Sequence, residues 1–228
     1  MLDDEGSAPV PAPGNPAGGP AEAGNRLDRL LALSDGIFAF ATTLLVLGLL
    51  PQTGLSSAGT LAFLSSSRFD ATVLAYFLGF FVTGFYWLAH RRIFGLILRD
   101  DRTLAQLNLV TLSFVVLVPF ATVVLDDAGD IAVGALVYAA VQAGAGFGLL
   151  GTWLYASGRG KLVSESLFRE WRRYITLRAA IAPAVFLVSI PVAFFDPRVA
   201  EYSWILLFLI SLLNVRSVRA RFFPGVHE

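Results

Sequence analysis

Six long apolar segments separated by short polar ones dominate the chain. They lie near residues 31–50, 70–90, 103–125, 131–155, 175–195 and 201–217. Each is long enough for a helix to cross the ~30 Å hydrocarbon core of a bilayer. Pro51 ends the first segment and Asp196-Pro197 ends the fifth, because proline cannot continue a helix. The pattern predicts an all-α, polytopic bundle of six transmembrane helices in a single repeat.

The composition fits a membrane protein and excludes several other classes. Hydrophobic residues make up 56% of the 228 residues and charged residues only 15%, whereas soluble domains are about 25% charged. Cysteine is absent and the net charge is zero, which excludes cysteine-type zinc sites and gives no reason to expect nucleic-acid binding. The sequence has no evident metal-ligand cluster, nucleophile–base pair or phosphate loop. We therefore expect neither an enzyme nor a cofactor.

The two ends of the chain are predicted to be tails. Residues 1–24 are mostly proline, alanine and glycine, so they have little to bury and should form a disordered cytosolic tail. They lack the basic start and apolar core of a signal peptide. Residues 25–218 then hold the six spans, and residues 219–228 form a short cytosolic tail.

The placement of lysine and arginine predicts the orientation of the spans. With the N-terminus inside, all but two of the 17 basic residues fall in cytosolic segments, and only Arg68 and Arg198 lie outside. Turning the protein over would invert this distribution. We expect a multi-pass protein of the cell membrane with both termini in the cytoplasm.

The first span has polar residues near its cytosolic end, among them Ser34 and Asp35. An ionisable residue at the centre of a span costs ~2.5–3.5 kcal/mol on insertion scales and normally faces protein or water. His90 ends the second span and Asn108 begins the third, at a similar depth. We predict that Asp35 joins a polar network with His90 and Asn108. The alternative is that Ser34 and Asp35 cap the start of the helix.

The first span also has an almost entirely apolar face. At about 100° per residue, one stripe of this helix contains Leu33, Gly36, Phe40, Thr43 and Leu47. Asp35 lies about 110° from the centre of the stripe. From these residues alone, ordinary helix packing explains the stripe as well as a functional surface does.

Several motifs, in order along the chain, resemble those of the transmembrane-protein-175 potassium channels. Arg29 followed by Leu33-Ser34-Asp35 is similar to the arginine plus Phe-Ser-Asp signature of that family. Further similar motifs are Trp87-Leu88-Ala89-His90, Asp101 with Leu107-Asn108, and Pro119-Phe120-Ala121-Thr122. The resemblance as a whole covers roughly residues 26–215.

The resemblance implies a potassium-selective, leak-type channel that lacks the usual Thr-Val-Gly-Tyr-Gly filter. Bacterial members with one six-span repeat form homotetramers, which implies a pore on the fourfold axis lined by the first span. The pore layers of the family fall on Phe40, Thr43 and Leu47 here. The implied partners are potassium ions, further copies of the chain and the lipid bilayer. An apolar ring would gate by dewetting, and threonine hydroxyls could replace part of the water shell of the ion.

Two positions depart from the family pattern, namely the motif Phe, which is the apolar Leu33 here, and the constriction. The constriction, usually Ile or Leu, is Phe40, whose four phenyl rings could block the pore or bind a cation through their faces. Arg29 falls near the pore stripe, where unpaired positive charge would oppose cations. We expect Arg29 to be salt-bridged to Asp28, Asp100 or Asp101.

Two other functions remain open at this point. Asp35 and His90 could form a pathway for protons or other small cations, because such pairs can relay protons through membranes. The chain could also be a non-conducting membrane protein, given the bulk of Phe40.

Overall fold

A computed structural model describes residues 20–51, 56–128, 131–164 and 169–204, with side chains from Arg26 onward. In these stretches the regular elements are α1 (Pro20–Leu44), a 3₁₀ segment (Leu45–Leu49), α2 (Ser57–Leu64), α3 (Ser67–Phe94), α4 (Arg102–Ala128), α5 (Ala132–Ser157) and α6 (Arg169–Ala193). Residues 197–204 begin a further helix. The described part of the chain is thus helical apart from connections and one isolated β-bridge.

Five helical segments are long and apolar enough to cross a membrane, each with 24–28 residues. They are α1 with the 3₁₀ segment, α3, α4, α5 and α6. The prediction of an all-α polytopic protein is confirmed, and these segments match the first five predicted spans. The predicted sixth span, 201–217, lies almost wholly outside the described residues, as does the tail 219–228. Most of the predicted tail 1–24 is also outside them, but α1 already begins at Pro20.

Helix α5 lies at the centre of the bundle. In its most apolar stretch 56% of the residues are buried, compared with 22% in the corresponding stretches of the α1 segment and of α6. Glycines allow its neighbours to approach closely, as is common between membrane helices. A Cβ atom at Gly148 would lie 2.7 Å from Thr111 Oγ1 on α4. A Cβ atom at Gly146 would lie 2.9 Å from Pro183 on α6. Helices α4, α5 and α6 therefore pack as one core, and α1 lies at its side.

Contacts at the two ends of the bundle show which connections between helices lie at the same end. The connection after α3 meets the connection after α5 through an antiparallel bridge between Ile97 and Val163. At the other end, Arg68 at the start of α3 forms an ion pair with Asp127 at the end of α4, with an N–O distance of 2.8 Å. The two connections predicted to be cytosolic therefore share one end of the bundle. The predicted external residues share the other.

Candidate pore-lining helix and its polar anchor

A buried chain of hydrogen bonds ties α1 to α3 and α4. Ser34, His90 and Asn108 each have 0% exposed surface. Asn108 Nδ2 donates to Ser34 Oγ at 2.9 Å, and Ser34 Oγ donates onward to the carbonyl of Leu30 at 2.8 Å. Asn108 Oδ1 is therefore left to accept from His90 Nε2, at 2.8 Å. The structure thus brings together three of the residues singled out in the sequence.

Aromatic rings hold His90 in place within this network. Its imidazole stacks on Phe94 with ring centroids 4.2 Å apart and meets the edge of Phe38 from α1 at 5.6 Å. Hydrogen bonds between transmembrane helices contribute about 0.6 kcal/mol each on average. The network and these rings therefore fix the inner face of α1 against the rest of the subunit.

Asp35 is not part of this network, and the predicted pairing with His90 and Asn108 is wrong. Its carboxylate is exposed and accepts a hydrogen bond from Trp87 Nε1 at 2.7 Å. Adjacent helical residues point about 100° apart, so Ser34 faces α4 and Asp35 does not. The capping alternative is also wrong, because α1 begins at Pro20, well before both residues.

Trp87 is a site residue that the sequence reasoning quoted in a motif but did not assign. Besides donating to Asp35, its ring lies under the guanidinium of Arg91, with 4.9 Å between Cζ and the ring centroid. A buried tryptophan N–H usually finds an acceptor, but the sequence does not indicate that the acceptor is Asp35, which is 52 residues away. The contact adds a second tie between α1 and α3.

The apolar stripe of α1 points away from the subunit. Phe40 and Leu47 are 59% and 55% exposed, and the other three members of the stripe are exposed as well. The buried side of α1 is formed by other residues, namely Leu27, Ser34, Phe38 and Ala41. Packing among the described residues therefore does not explain the stripe.

The two adjacent threonines of α1 differ in orientation. Thr43 is exposed, and its hydroxyl donates to the carbonyl of Phe40 at 2.8 Å. Since its proton is used within the helix, the oxygen presents lone pairs outward, which is what a cation requires. Thr42 is half-buried on another side of the helix and bonds to the carbonyls of Phe38 and Ala39.

The outer end of the stripe deviates from the predicted α-helical geometry. Residues Leu45–Leu49 form a 3₁₀ helix, in which each residue turns by about 120° instead of about 100°. Leu47 is therefore rotated by about 60° from its expected direction. Leu45 packs against Gly79 of α3, where a Cβ atom would lie 3.1 Å from Leu45 Cδ2. This close contact, together with the change of helix type, places Leu47 off the line through Phe40.

Arg29 does not form the predicted salt bridge with any of its three candidate carboxylates in the part of the chain that the structure describes. It is exposed, and Arg26 pairs with Asp100 instead, with an N–O distance of 3.6 Å. Asp101 is occupied, because it accepts from the hydroxyl of Tyr155 at 2.6 Å and caps α4. Arg29 thus lies at the N-terminal end of the exposed stripe, without an ion pair among the described residues.

Several known proteins have sequences similar to this one. Residues 29–119 match the family model described as the endosomal/lysosomal potassium channel TMEM175. A Streptomyces collinus protein named as a potassium channel is 29% identical over 176 residues, which are 75% of this chain and 84% of that protein. A Chamaesiphon minutus protein, also named as a potassium channel, is 30% identical over 171 residues, or 73% of this chain and 83% of that one.

The fold is likewise similar to a solved structure. The crystal structure of a lysosomal potassium-selective channel TMEM175 homolog from Chamaesiphon minutus has a TM-score of 0.70 and 27% identity. The similarity covers 83% of this chain and 98% of that chain. The chain therefore belongs to the TMEM175 family of potassium channels.

Proposed function

We propose that four copies of this chain form a potassium-selective, leak-type channel whose pore is lined by α1. The observation that carries the proposal is the two-sided character of this helix. Its inner side is fixed to α3 and α4 by Ser34, His90 and Asn108. Its opposite side, with Phe40 and Thr43, is exposed in the part of the subunit that the structure describes. A rigidly anchored helix with a free face is suited to line a shared axis.

Each layer of this face has a distinct role in the proposed pore. A ring of four Phe40 side chains forms the hydrophobic constriction, where hydrated ions enter only when the ring widens. Four Thr43 hydroxyls, one turn further out, supply oxygens that replace part of the water shell of K⁺. Leu47 narrows the external side, although its 3₁₀ backbone turns it away from the line through Phe40.

Orientation in the cell membrane follows from the basic residues. With both termini cytoplasmic, the positive-inside distribution is satisfied, and Arg29 lies at the cytosolic mouth of the pore. It is eleven residues before Phe40, or about 16 Å along the helix. This exceeds the ~8 Å Debye length at physiological salt. The four arginines would therefore reduce the cation concentration at the mouth without setting the barrier at the constriction.

Flux measurements on liposomes loaded with potassium test the proposal. We expect liposomes with wild-type protein to release K⁺ faster than the same liposomes loaded with Na⁺ release Na⁺. Thr43→Ala should lower this preference, and Thr42→Ala, which changes the adjacent hydroxyl on another side of α1, should leave it intact. Absence of K⁺ flux from wild type and from Phe40→Leu would refute a conducting pore. Full K⁺ preference in Thr43→Ala would refute the role of that hydroxyl.

The geometry gives less support to the alternative functions. A proton pathway through Asp35 and His90 needs the two groups to exchange a proton, but they bond to different partners, Trp87 and Asn108. The same liposomes under a pH gradient would report such a pathway as proton flux that persists without K⁺. A non-conducting protein would show neither flux.

A further inference from the structure

Two arginines converge from α3 and α6, neither of which carries the proposed pore face. Arg92 lies in the last turn of α3, and Arg178 lies in the N-terminal half of α6. The guanidinium of Arg92 is close enough to Arg178 to interact with it electrostatically. Like charges repel each other more strongly where protein and lipid replace water. The pair is therefore unfavourable by itself and would be stabilised by an anion.

Packing on α5 holds α3 and α6 together near this pair. Tyr86 of α3 and Pro183 of α6 meet over Gly146 of α5, where a Cβ atom would lie 2.9 Å from each of them. Arg92 is six residues further along α3 and Arg178 is five residues back along α6. At 1.5 Å per residue, both lie about 8–9 Å from this contact, toward the end predicted to be cytosolic. The two arginines thus share nearly the same depth on helices that are fixed to each other.

Neither arginine is neutralised by a carboxylate in the described stretches, where the ion pairs involve other residues. Arg178 Nη1 donates to the hydroxyl of Tyr174 at 3.1 Å, which uses one of the five donors of the guanidinium. In contrast, the nearby Arg172 donates to two backbone carbonyls. The charges of Arg92 and Arg178 are therefore not explained by packing within the described part of the subunit.

The surroundings of the pair combine features of headgroup depth with an apolar surface. Tyr174 stacks on Trp171 with ring centroids 5.4 Å apart, and both residue types are enriched at the membrane–water interface. Leu88 and Phe81 lie on the same face of α3 as Arg92, one and three turns further into the membrane. They are 50% and 49% exposed. A lipid headgroup beside the arginines therefore has an apolar surface for its acyl chain.

We propose that the phosphate of an anionic phospholipid from the cytosolic leaflet binds between Arg92 and Arg178 in each subunit. A phosphodiester carries one negative charge, and its oxygens match the planar fork of a guanidinium. Basic pockets between transmembrane helices on the cytoplasmic side bind such headgroups in other membrane proteins. The choline of a zwitterionic lipid would add a third positive charge, so the site favours a headgroup with net negative charge. Such a lipid joins α3 to α6 whether or not the chain conducts ions.

Thermal unfolding of the full-length protein in mixed micelles tests the site. Dioleoylphosphatidylglycerol is compared with dioleoylphosphatidylcholine at equal mole fraction, because the two lipids share their acyl chains and differ in net charge. We expect phosphatidylglycerol to give the wild-type protein a higher melting temperature Tm than phosphatidylcholine does. Equal Tm values in the two lipids would overturn the proposal. So would an equal increase from inorganic phosphate added to phosphatidylcholine micelles, which would show that the site takes a soluble anion.

Substitutions separate this site from a general attraction of basic residues to anionic lipid. Arg92→Gln and Arg178→Gln should each raise about fivefold the mole fraction of phosphatidylglycerol that gives half of the Tm increase. Arg173→Gln is the matched control, since Arg173 is exposed on the same helix but lies about 140° around it from Arg178. It should leave the half-maximal mole fraction unchanged. Equal effects of Arg173→Gln and Arg178→Gln would refute a specific site.

The stability of Arg92→Gln in phosphatidylcholine distinguishes lipid binding from a role in folding. With no anionic lipid present, this substitution removes repulsion from Arg178, so it should not lower Tm. In phosphatidylglycerol the same variant should be less stable than the wild-type protein. A Tm decrease of the same size in both lipids would show that Arg92 only supports the fold, which would contradict the proposal.

Discussion

Replacing Asn108 with leucine removes the amide that joins α1, α3 and α4. Asn108 is fully buried and bonds to Ser34 and His90. In the variant, Ser34 still donates to the carbonyl of Leu30, so it keeps one bond. His90 keeps none, because its Nδ1 already lacks a partner. The main cost of the substitution is therefore that the buried imidazole of His90 is left without a hydrogen bond.

The size of the effect follows from these contacts. Two interhelical hydrogen bonds contribute about 1.2 kcal/mol together, at about 0.6 kcal/mol each. An unsatisfied polar group on His90 costs a further ~1–3 kcal/mol. Leucine recovers part of this through apolar packing, so we expect a net loss of about 2 kcal/mol. For a protein of this size that loss lowers Tm by about 4–8 °C.

Thermal unfolding of the purified protein in detergent is the assay, with Gln106→Leu as the matched control. Gln106 is an exposed amide on the same helix, so its replacement should change stability by less than about 0.5 kcal/mol. Ser34→Ala combined with Asn108→Leu should cost less than the sum of the two, because they share a hydrogen bond. Equal Tm values for Asn108→Leu and Gln106→Leu would refute the anchoring role of the network.

Three further predictions concern packing and permeation. Gly148→Ala should lower the free energy of unfolding by about 1–3 kcal/mol, because the new Cβ would lie 3.0 Å from the Cα of Thr111. Gly151→Ala is the control, since its Cβ meets nothing within 4 Å, and equal unfolding curves for the two variants would contradict the packing. Tetraethylammonium should inhibit K⁺ flux through contact with the Phe40 rings, and Phe40→Leu should raise the half-inhibiting concentration about tenfold; unchanged inhibition would exclude the rings as the binding site. Arg29→Gln should increase K⁺ flux more at low than at high ionic strength, since salt screens the charge; an equal increase at both would show that the effect is not electrostatic.

The spans and the grouping of the stripe residues on one face of α1 could be predicted from the sequence because they depend on local regularities. Segment length and apolar content locate a transmembrane helix, and a period of 3.6 residues assigns Phe40 and Thr43 to one face. The change to 3₁₀ geometry after Leu44 was not predictable in this way. It accompanies the packing of Leu45 on Gly79, a contact between residues far apart in the sequence.

Which of two neighbouring polar residues faces the core also depends on tertiary structure. The sequence indicated a network at the level of Asp35, but Ser34 occupies the inner position and Asp35 bonds to Trp87. A charged residue is the more conspicuous candidate in a sequence. Burying a serine in a dry interface, however, costs less free energy than burying a carboxylate.

The central claim is that the exposed face of α1 lines the pore, and cysteine accessibility tests it most directly. The chain contains no cysteine, so each single-cysteine variant has one reactive thiol. Silver ions, which are monovalent and bind thiolates, should abolish K⁺ flux through Thr43→Cys. They should leave Thr42→Cys and wild type unaffected. Block of Thr42→Cys with unchanged flux through Thr43→Cys would contradict the proposed pore.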